Sequence, residues 1–419
     1  HKLPAEAFER FLVKCVPQQA AGSWYEPIPT LLFPYFDKEL KQEWSQQYWL
    51  RLRVSPGTPA GVYKGEVSIE PERGEKALIP VAVTVYPFDL PKTKTECGMW
   101  NNTAFGSHGL DHFKDNADYV TAVLDAEIKD MLDHGLNGYC FGQPRAVKYD
   151  TQNHTVQLDF SHLDQLAAPM QKRGMPGRHL FSFGNFVNYG LFKHGYKEHS
   201  PEFNQALKNI LVQYRDWMKE RGLNGLMMVF DEPRETELNP WNRNRVDMIK
   251  YLKLCREVPG LQTTTTPMGD RDGFNRPYTL MTPLLDVVAT HSWPRSDDFA
   301  YLCTVEKLAD MWTYNNGFTR FAHGFYLWKA KALGHWQWVY SWEVANAHVP
   351  VFFARDTSAA YAFPGGFLDT LKYEHVAEGI DDHRYLELLE SMLKDAPKDD
   401  AFAKDARAFL KVLEEFLPQ

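Results

Sequence analysis

Cysteine is scarce: Cys15, Cys97, Cys140, Cys255 and Cys303 are the five in 419 residues, and no two form a C-x-x-C pair. That scatter offers neither a disulfide framework nor a thiolate zinc site, and separate thiols are expected. Long apolar runs are missing as well, and nothing approaches the roughly 18 consecutive apolar residues of a membrane span. Positive charge is not in excess. The balance of 46 Lys and Arg against 54 Asp and Glu gives a net charge of −8, so no nucleic-acid partner is expected. There is no G-x-S-x-G, which leaves a serine nucleophile unsupported. The histidines show neither i, i+4 pairing nor carboxylate partners at ligand spacing, so no metal site and no cofactor is expected. Internal repeats and low-complexity segments are absent, and no feature specifies an oligomeric state. Because the chain starts at His1, a secreted or periplasmic protein whose leader has been removed is the expectation, with a cytoplasmic location as the alternative.

Aromatic residues, by contrast, make up 14% of the chain, with 12 Trp and 20 Tyr. Such rings serve as stacking platforms for sugars, and they also fill large cores and interfaces. The length suggests more than one domain. Residues 1–90 read as antiparallel β structure after an opening segment with no clear pattern. Tyr48, Leu50, Leu52 and Val54 alternate, as do Tyr63, Gly65, Val67 and Ile69, and then Ile79, Val81, Val83 and Val85. Three such strands make a small sandwich, incomplete by itself. From residue 91 to 395, strand and helix alternate, with strands expected at Gly98–Trp100, Leu136–Phe141, His179–Phe183, Leu226–Phe230, Thr263–Thr266, Asp286–Thr290, Met311–Tyr314 and Trp336–Trp342. Eight alternations are what a (β/α)8 barrel requires. A doubly wound sheet is disfavoured because Trp100-Asn101-Asn102-Thr103 stands where a glycine-rich phosphate loop would be. Helix is expected from Phe318 to Ala332, again after Gly379 with Asp381 or Asp382 as its cap, and in a terminal segment, 396–419.

In a barrel, the reacting groups come from the C-terminal strand ends. Those ends hold Trp100 and Asn101, Asn185, Asp231 and Glu232, Thr266, His291 and Trp293, Tyr314, and Trp342 and Glu343, with Tyr340 one pleat earlier. Only the fourth and eighth strands supply acids. The acid chemistry is therefore expected to rest on Asp231 and Glu232, where five apolar residues run out into two carboxylates and Pro233. A residue before proline is held extended, so the two side chains should point apart. The competing reading is a plain helix start with acids in its first turn. Trp100, Asn185, His291, Trp293, Tyr314, Tyr340 and Trp342 are candidate substrate contacts. Trp336, Trp338, Tyr340 and Trp342 alternate along the eighth strand and would share one face, mostly core. Two carboxylates on separate elements suit a conventional glycosidase, for which Glu343 is the available partner. Adjacent Asp-Glu fits better with substrate-assisted cleavage, in which the sugar's 2-acetamido oxygen attacks the anomeric carbon.

Phe230-Asp231-Glu232-Pro233, Phe325-Tyr326-Leu327-Trp328-Lys329-Ala330 and Glu374-His375-Val376-Ala377-Glu378-Gly379-Ile380-Asp381-Asp382, with Trp49–Val54 and Pro59–Gly65 before them, resemble glycoside hydrolase family 123 in kind and order. The resemblance covers nearly the whole chain. It departs from the family in a short N-terminal sandwich and at Leu371-Lys372-Tyr373. What it implies is a β-sandwich followed by a barrel, and a retaining β-N-acetylgalactosaminidase acting on glycans. Asp231 would match the acid that orients the acetamido group, and Glu232 the general acid/base. A two-carboxylate glycosidase for sugars without an acetamido group and a non-catalytic carbohydrate-binding barrel are the alternatives.

Overall fold

The computed structural model describes residues 3–19, 25–34, 45–101, 116–233, 245–266, 281–291, 306–341, 358–363, 366–397 and 399–417. Two compact units divide the chain, residues 1–92 and residues 93–419.

In the first unit, β1 (Phe8–Gln19) lies between β2 (Tyr25–Phe33) and β3 (Tyr48–Leu52), all antiparallel. The opening segment that showed no pattern is thus the central strand. Its pattern is hidden because Leu12 and Val13 are consecutive and both buried, and because the register shifts between Lys14 and Cys15. β4 (Gly61–Ile69) and β5 (Ala77–Val85) form a separate ribbon in which Tyr63 faces Val83 and Val67 faces Ile79. That is the cross-strand match the period-two spacing implies.

The second unit is a (β/α)8 barrel. Its strands are β6 (Glu96–Met99), β7 (Gly138–Tyr139), β10 (His179–Ser182), β11 (Gly225–Met228), β12 (Gln262–Thr265), β13 (Val287–His291), β14 (Asp310–Tyr314) and β15 (Gly334–Gln337). They pair in parallel from β10 round to β15, then with β6 and β7. A bridge between Cys140 and Leu180 and the bond from Phe141 N–H to Leu180 O (2.8 Å) close the ring. A hairpin of β8 (Arg145–Asp150) and β9 (Thr155–Asp159), which the strand–helix alternation does not anticipate, stands between β7 and the next helix.

Two tryptophans fill the barrel. Trp312 and Trp336 are fully buried and stacked with centroids 6.0 Å apart, inside a cluster of Cys140, Leu180, Leu226, Met228, Val287, Ala289 and Tyr314. Rings of that size leave no room opposite. A Cβ on Gly98 would come within 2.6 Å of the Trp336 ring, and one on Gly334 within 2.5 Å of the Trp312 indole nitrogen. At the N-terminal end, Arg178 lies 5.0 Å from the Trp312 ring and donates to Glu96 and Asp310, both at 2.7 Å, tying the starts of three strands together.

Helices cover the outside. α1 (Ala117–Asp133) is capped by Asn116, whose Oδ1 accepts from Tyr119 N–H at 3.1 Å. α2 (Ser161–Arg173) ends on left-handed Gly174. α3 (Pro201–Glu220) starts on Ser200 and Pro201, and α4 (Arg245–Arg256) follows β11. Where one helix over Phe318–Ala332 is expected, the chain forms α5 (Arg320–His323) and α6 (Phe325–Lys329), broken at Gly324. Conversely, α7 (Leu371–Asp395), capped by Thr370, runs straight through Gly379, so neither Asp381 nor Asp382 is a cap. Both departures have one cause. Gly324 and Gly379 meet where α5 crosses α7: a Cβ on Gly324 would lie 2.8 Å from Gly379 O, and one on Gly379 would lie 2.5 Å from Arg320 O. These glycines allow close packing rather than marking a boundary. α8 (Ala401–Phe416), capped by Asp400, ends the described chain. Among the described residues no helix is long and apolar enough to cross a membrane.

Two expectations follow. Gly98→Ala should lower stability by about 1–3 kcal/mol through overpacking, and Trp336→Phe should recover part of the loss; equal denaturation midpoints for Gly98→Ala and wild type would refute this account of the interior. The second concerns acid. Burial pushes His179 down to about 3 and His323 to about 4, and burial together with the charge of His323 holds His335 well below the ordinary value of 6.5. Between those limits the unfolded chain binds protons that the folded chain does not, so stability falls as the pH drops from about 6.5 towards 4. Urea midpoints across that window should show the slope, and His179→Phe should flatten it.

Candidate active site

The site forms where the alternation of the fourth strand slips. Leu226 and Met228 face the barrel interior, and Met227 and Val229 pack in the outer layer against the helices. Strict alternation would turn Phe230 inward and Asp231 outward. Instead Phe230 also joins the outer layer, edge-on to Phe183 (5.5 Å) and Tyr251 (5.0 Å). Its carbonyl accepts the Thr265 hydroxyl at 2.8 Å. The slip brings Asp231 to the interior side, where its charge acts on the buried Cys140 and Tyr314.

Thr266, one residue beyond β12, fixes both acids. Its hydroxyl donates to Asp231 Oδ1 and accepts the backbone N–H of Glu232 at 2.8 Å. Thr266 is itself fully buried, while Asp231 and Glu232 are half-buried. The expectation that Pro233 keeps Glu232 extended is not met. Glu232 has φ 45°, in the left-handed region, a conformation that costs about 1–3 kcal/mol unless the surroundings impose it. The bond to Thr266 is the part of those surroundings that holds the Glu232 amide. Nothing in its own segment marks Thr266 as a site residue. The signal for it is its position at the end of the neighbouring strand.

Tyr314, at the end of β14, is buried in the interior cluster. Burial raises its phenol well above the ordinary value, and the charges of Asp231 and Glu232 raise it further, so it is a neutral hydroxyl throughout the physiological range. Trp100 is half-buried at the end of β6, packs on that cluster, and has its ring 6.2 Å from Trp338. Cys140 is pushed up to about 12 by burial, with the Asp231 charge adding to it, so no thiolate nucleophile stands here. Asp231, Glu232, Trp100 and Tyr314 are thus gathered at one end of the barrel. Asn185 is exposed after β10, just before a π-helical turn over Phe186–Leu191. His291 ends β13, but its side chain, like Trp293, Trp342 and Glu343, lies outside the described residues.

Tyr340 is placed otherwise. β15 stops at Gln337, so the strand alternation that would place Tyr340 on the face of Trp336 does not continue. Tyr340 is fully buried in the outer layer beside Phe367 and Tyr373, with its hydroxyl donating to Asp130 at 2.8 Å, and it does not open on the barrel mouth. Asp130 also stands one helical turn before His134. Their side chains lie 3.3 Å apart, and Asp369 and Glu374 lie 3.6 and 3.5 Å from the other nitrogen of that ring. A histidine with carboxylates at ligand spacing does therefore exist, contrary to the reading of the sequence. Asp130, His134 and Asp369 bring ligand atoms within 4.8 Å of one another.

The fold and this arrangement define a class: a (β/α)8 barrel with an acidic pair at the C-terminal end of its fourth strand. No protein-family model matches the chain, and no curated protein matches it. Among solved structures it is similar to a psychrophilic glycoside hydrolase family 10 endo-β-1,4-xylanase, at 10% identity and a TM-score of 0.41, over 68% of this chain and 96% of that one. It is similar also to a family 1 β-glucosidase from Thermotoga maritima (9%, TM-score 0.40, 65% and 87%) and to a spore coat polysaccharide biosynthesis protein from Bacillus subtilis (11%, TM-score 0.37, 72% and 71%). Glycoside hydrolases recur among these structures, but at such identities and scores the likeness carries nothing about the reaction.

Thr266→Val keeps the shape of the side chain and removes both bonds. It should cost about 1–3 kcal/mol by removing one donor to a partly buried carboxylate, while Thr266→Ser should cost less than half as much. Urea unfolding of the two variants decides this, and equal losses would show that packing, not the hydroxyl, matters.

Proposed function

We propose that the protein is a glycoside hydrolase that removes β-linked N-acetylgalactosamine from glycans with retention, using the substrate's own 2-acetamido group as nucleophile. The observation that carries the reading is the acidic pair held by one hydroxyl. Asp231 accepts a hydrogen bond from Thr266, and Glu232 is bound to the same oxygen through its backbone. An acid already engaged as an acceptor is suited to hold an amide N–H. Among the described residues no other barrel strand ends on a carboxylate at this face, which favours chemistry that needs one proton-transferring acid. The resemblance of Phe230-Asp231-Glu232-Pro233 and the later segments to family 123 supports the same assignment.

In the first step the acetamido oxygen bonds to the anomeric carbon as the glycosidic C–O bond breaks. The departing oxygen takes the proton of Glu232, and Asp231 stabilises the positive charge that develops at the acetamido nitrogen. In the second, Glu232 takes a proton from water as that water bonds to the anomeric carbon and the acetamido oxygen leaves. Two inversions give net retention and restore both acids. In this reading Trp100 with Trp338 would offer a face for the sugar ring, and Tyr314, a buried neutral phenol within reach of the charges of both carboxylates, would belong to the wall behind them.

An aryl β-N-acetylgalactosaminide should be cleaved at least about a hundredfold faster than the matching aryl β-galactoside, because only the first carries the nucleophile; equal rates would end the substrate-assisted reading. Glu232→Gln should lower kcat on a natural glycan by about 10²–10⁴ and harm an activated aryl leaving group much less. Full activity of that variant on the glycan would remove Glu232 from its role. Glycan binding without turnover would identify a binding protein instead.

A further inference from the structure

The last described helix buries almost nothing. Of the 16 residues of α8 only Ala403 is buried, whereas eight residues of α3 are. Arg407 ties α8 to the carbonyls of Leu393 and Ala396 at the end of α7, at 3.1 and 3.4 Å, and Lys329 on α6 donates to the carbonyl of Leu417 at 2.6 Å. Ala406, Leu410 and Leu413, at helical spacing from Ala403, are half-buried. Helices in globular proteins are held mainly by packing an apolar face, and one of about 15 residues is marginal without it. Here a second apolar face is turned outward: Phe402, Phe409 and Phe416 are 85%, 55% and 84% exposed, and Val412 is 50% exposed.

The three phenylalanines recur every seventh residue. With Asp405 and Val412 between them they occupy the a and d positions of a heptad, the spacing of a seam between two helices. An aromatic side chain buries about 150–250 Å² when fully covered, so the three rings at their observed exposure would contribute roughly 350–550 Å². That is about half or more of the ~800 Å² that each partner gives to a standard interface.

The stripe also specifies what covers it. Its phenylalanines are symmetric about Phe409, so antiparallel pairing with a second α8 sets Phe402 of one copy against Phe416 of the other, the self-complementary arrangement of a two-fold interface. The same order brings Lys404 of one copy level with Glu414 and Glu415 of the other, twice, all three being exposed. Parallel pairing would set Asp405 against Asp405, whereas antiparallel pairing holds the two carboxylates about 12 Å apart along the seam, at 1.5 Å per residue. A lipid surface suits α8 less well: Lys404, Arg407 and Lys411 are matched by Asp405, Glu414 and Glu415, without the basic excess of an interfacial helix.

We propose that α8 is a dimerisation helix, whose stripe of Phe402, Phe409, Val412 and Phe416 packs antiparallel on the same stripe of a second copy. The pairing is independent of the reaction performed in the barrel. Sedimentation velocity of the whole chain across the micromolar range should show a monomer–dimer equilibrium. Phe409→Asp, which puts two charges on the two-fold axis, should raise the dissociation constant at least about a hundredfold. Lys404→Glu should raise it about fivefold, and combining it with Glu414→Lys and Glu415→Lys, which exchanges the signs across the seam, should recover most of that loss. A wild type that stays monomeric overturns the proposal. The face would then belong to another part of this chain if Phe409→Asp lowers Tm, or to lipid if wild type floats with phosphatidylcholine–phosphatidylglycerol vesicles. A dimer that Phe409→Asp leaves intact uses another face, and it overturns the proposal as well. Should Phe409→Asp fail to fold, the charge exchange decides, because its three positions are exposed; no recovery in the triple variant refutes antiparallel pairing.

Discussion

The stacked indoles of Trp312 and Trp336 set the terms for the rest of the barrel. Small barrels are filled by layers of side chains, and here two large rings take much of that space. The strands beside them must then carry glycine, as β6 does at Gly98, the register partner of Trp336, and β7 at Gly138, where a Cβ would lie 3.0 Å from the Trp336 ring. Arg178 closes the end below them through Glu96 and Asp310. A rigid floor of this kind lets loosely regular strand ends hold a defined geometry above it.

The upper end depends on two backbone irregularities that the floor supports. One is the slip at Phe230, which reverses the facing of Asp231. The other is the left-handed Glu232, in place against the preference of a residue before proline. Thr266 links the two through a single oxygen. Local strain of this sort tends to gather at sites that work by fixed geometry. That coincidence, rather than a likeness to any solved structure, is what makes this strand end the candidate centre.

Much of the barrel was legible because parallel strands buried on both faces are written as apolar runs. All eight were placed from the sequence, with errors of a few residues at the ends. The longest error was in the eighth strand, where Trp336, Trp338, Tyr340 and Trp342 alternate as a strand would. The ladder ends at Gln337, whose side chain bonds to Asn315 and to Trp338 O, and Tyr340 finds Asp130 in the outer layer instead. The glycines misled for another reason. Gly324 and Gly379 break one helix and leave another intact, and only their mutual contact explains both. Asp130 and His134, four residues apart on one helix, are legible as a pair in the sequence; Asp369, which completes the group, is remote from both.

The sequence by itself determined the order of elements, the barrel, and the placing of two adjacent carboxylates at the end of one buried strand, since hydrophobic periodicity and strand ends are local properties. Tertiary structure decided which way those carboxylates face. Facing depends on a one-residue slip at Phe230, which is fixed by Phe183 and Tyr251 and by the hydroxyl of Thr265, none of them local to the strand. The same holds for Thr266. Its contact with both acids joins parts of the chain that are far apart in sequence, and no local pattern of residues encodes it.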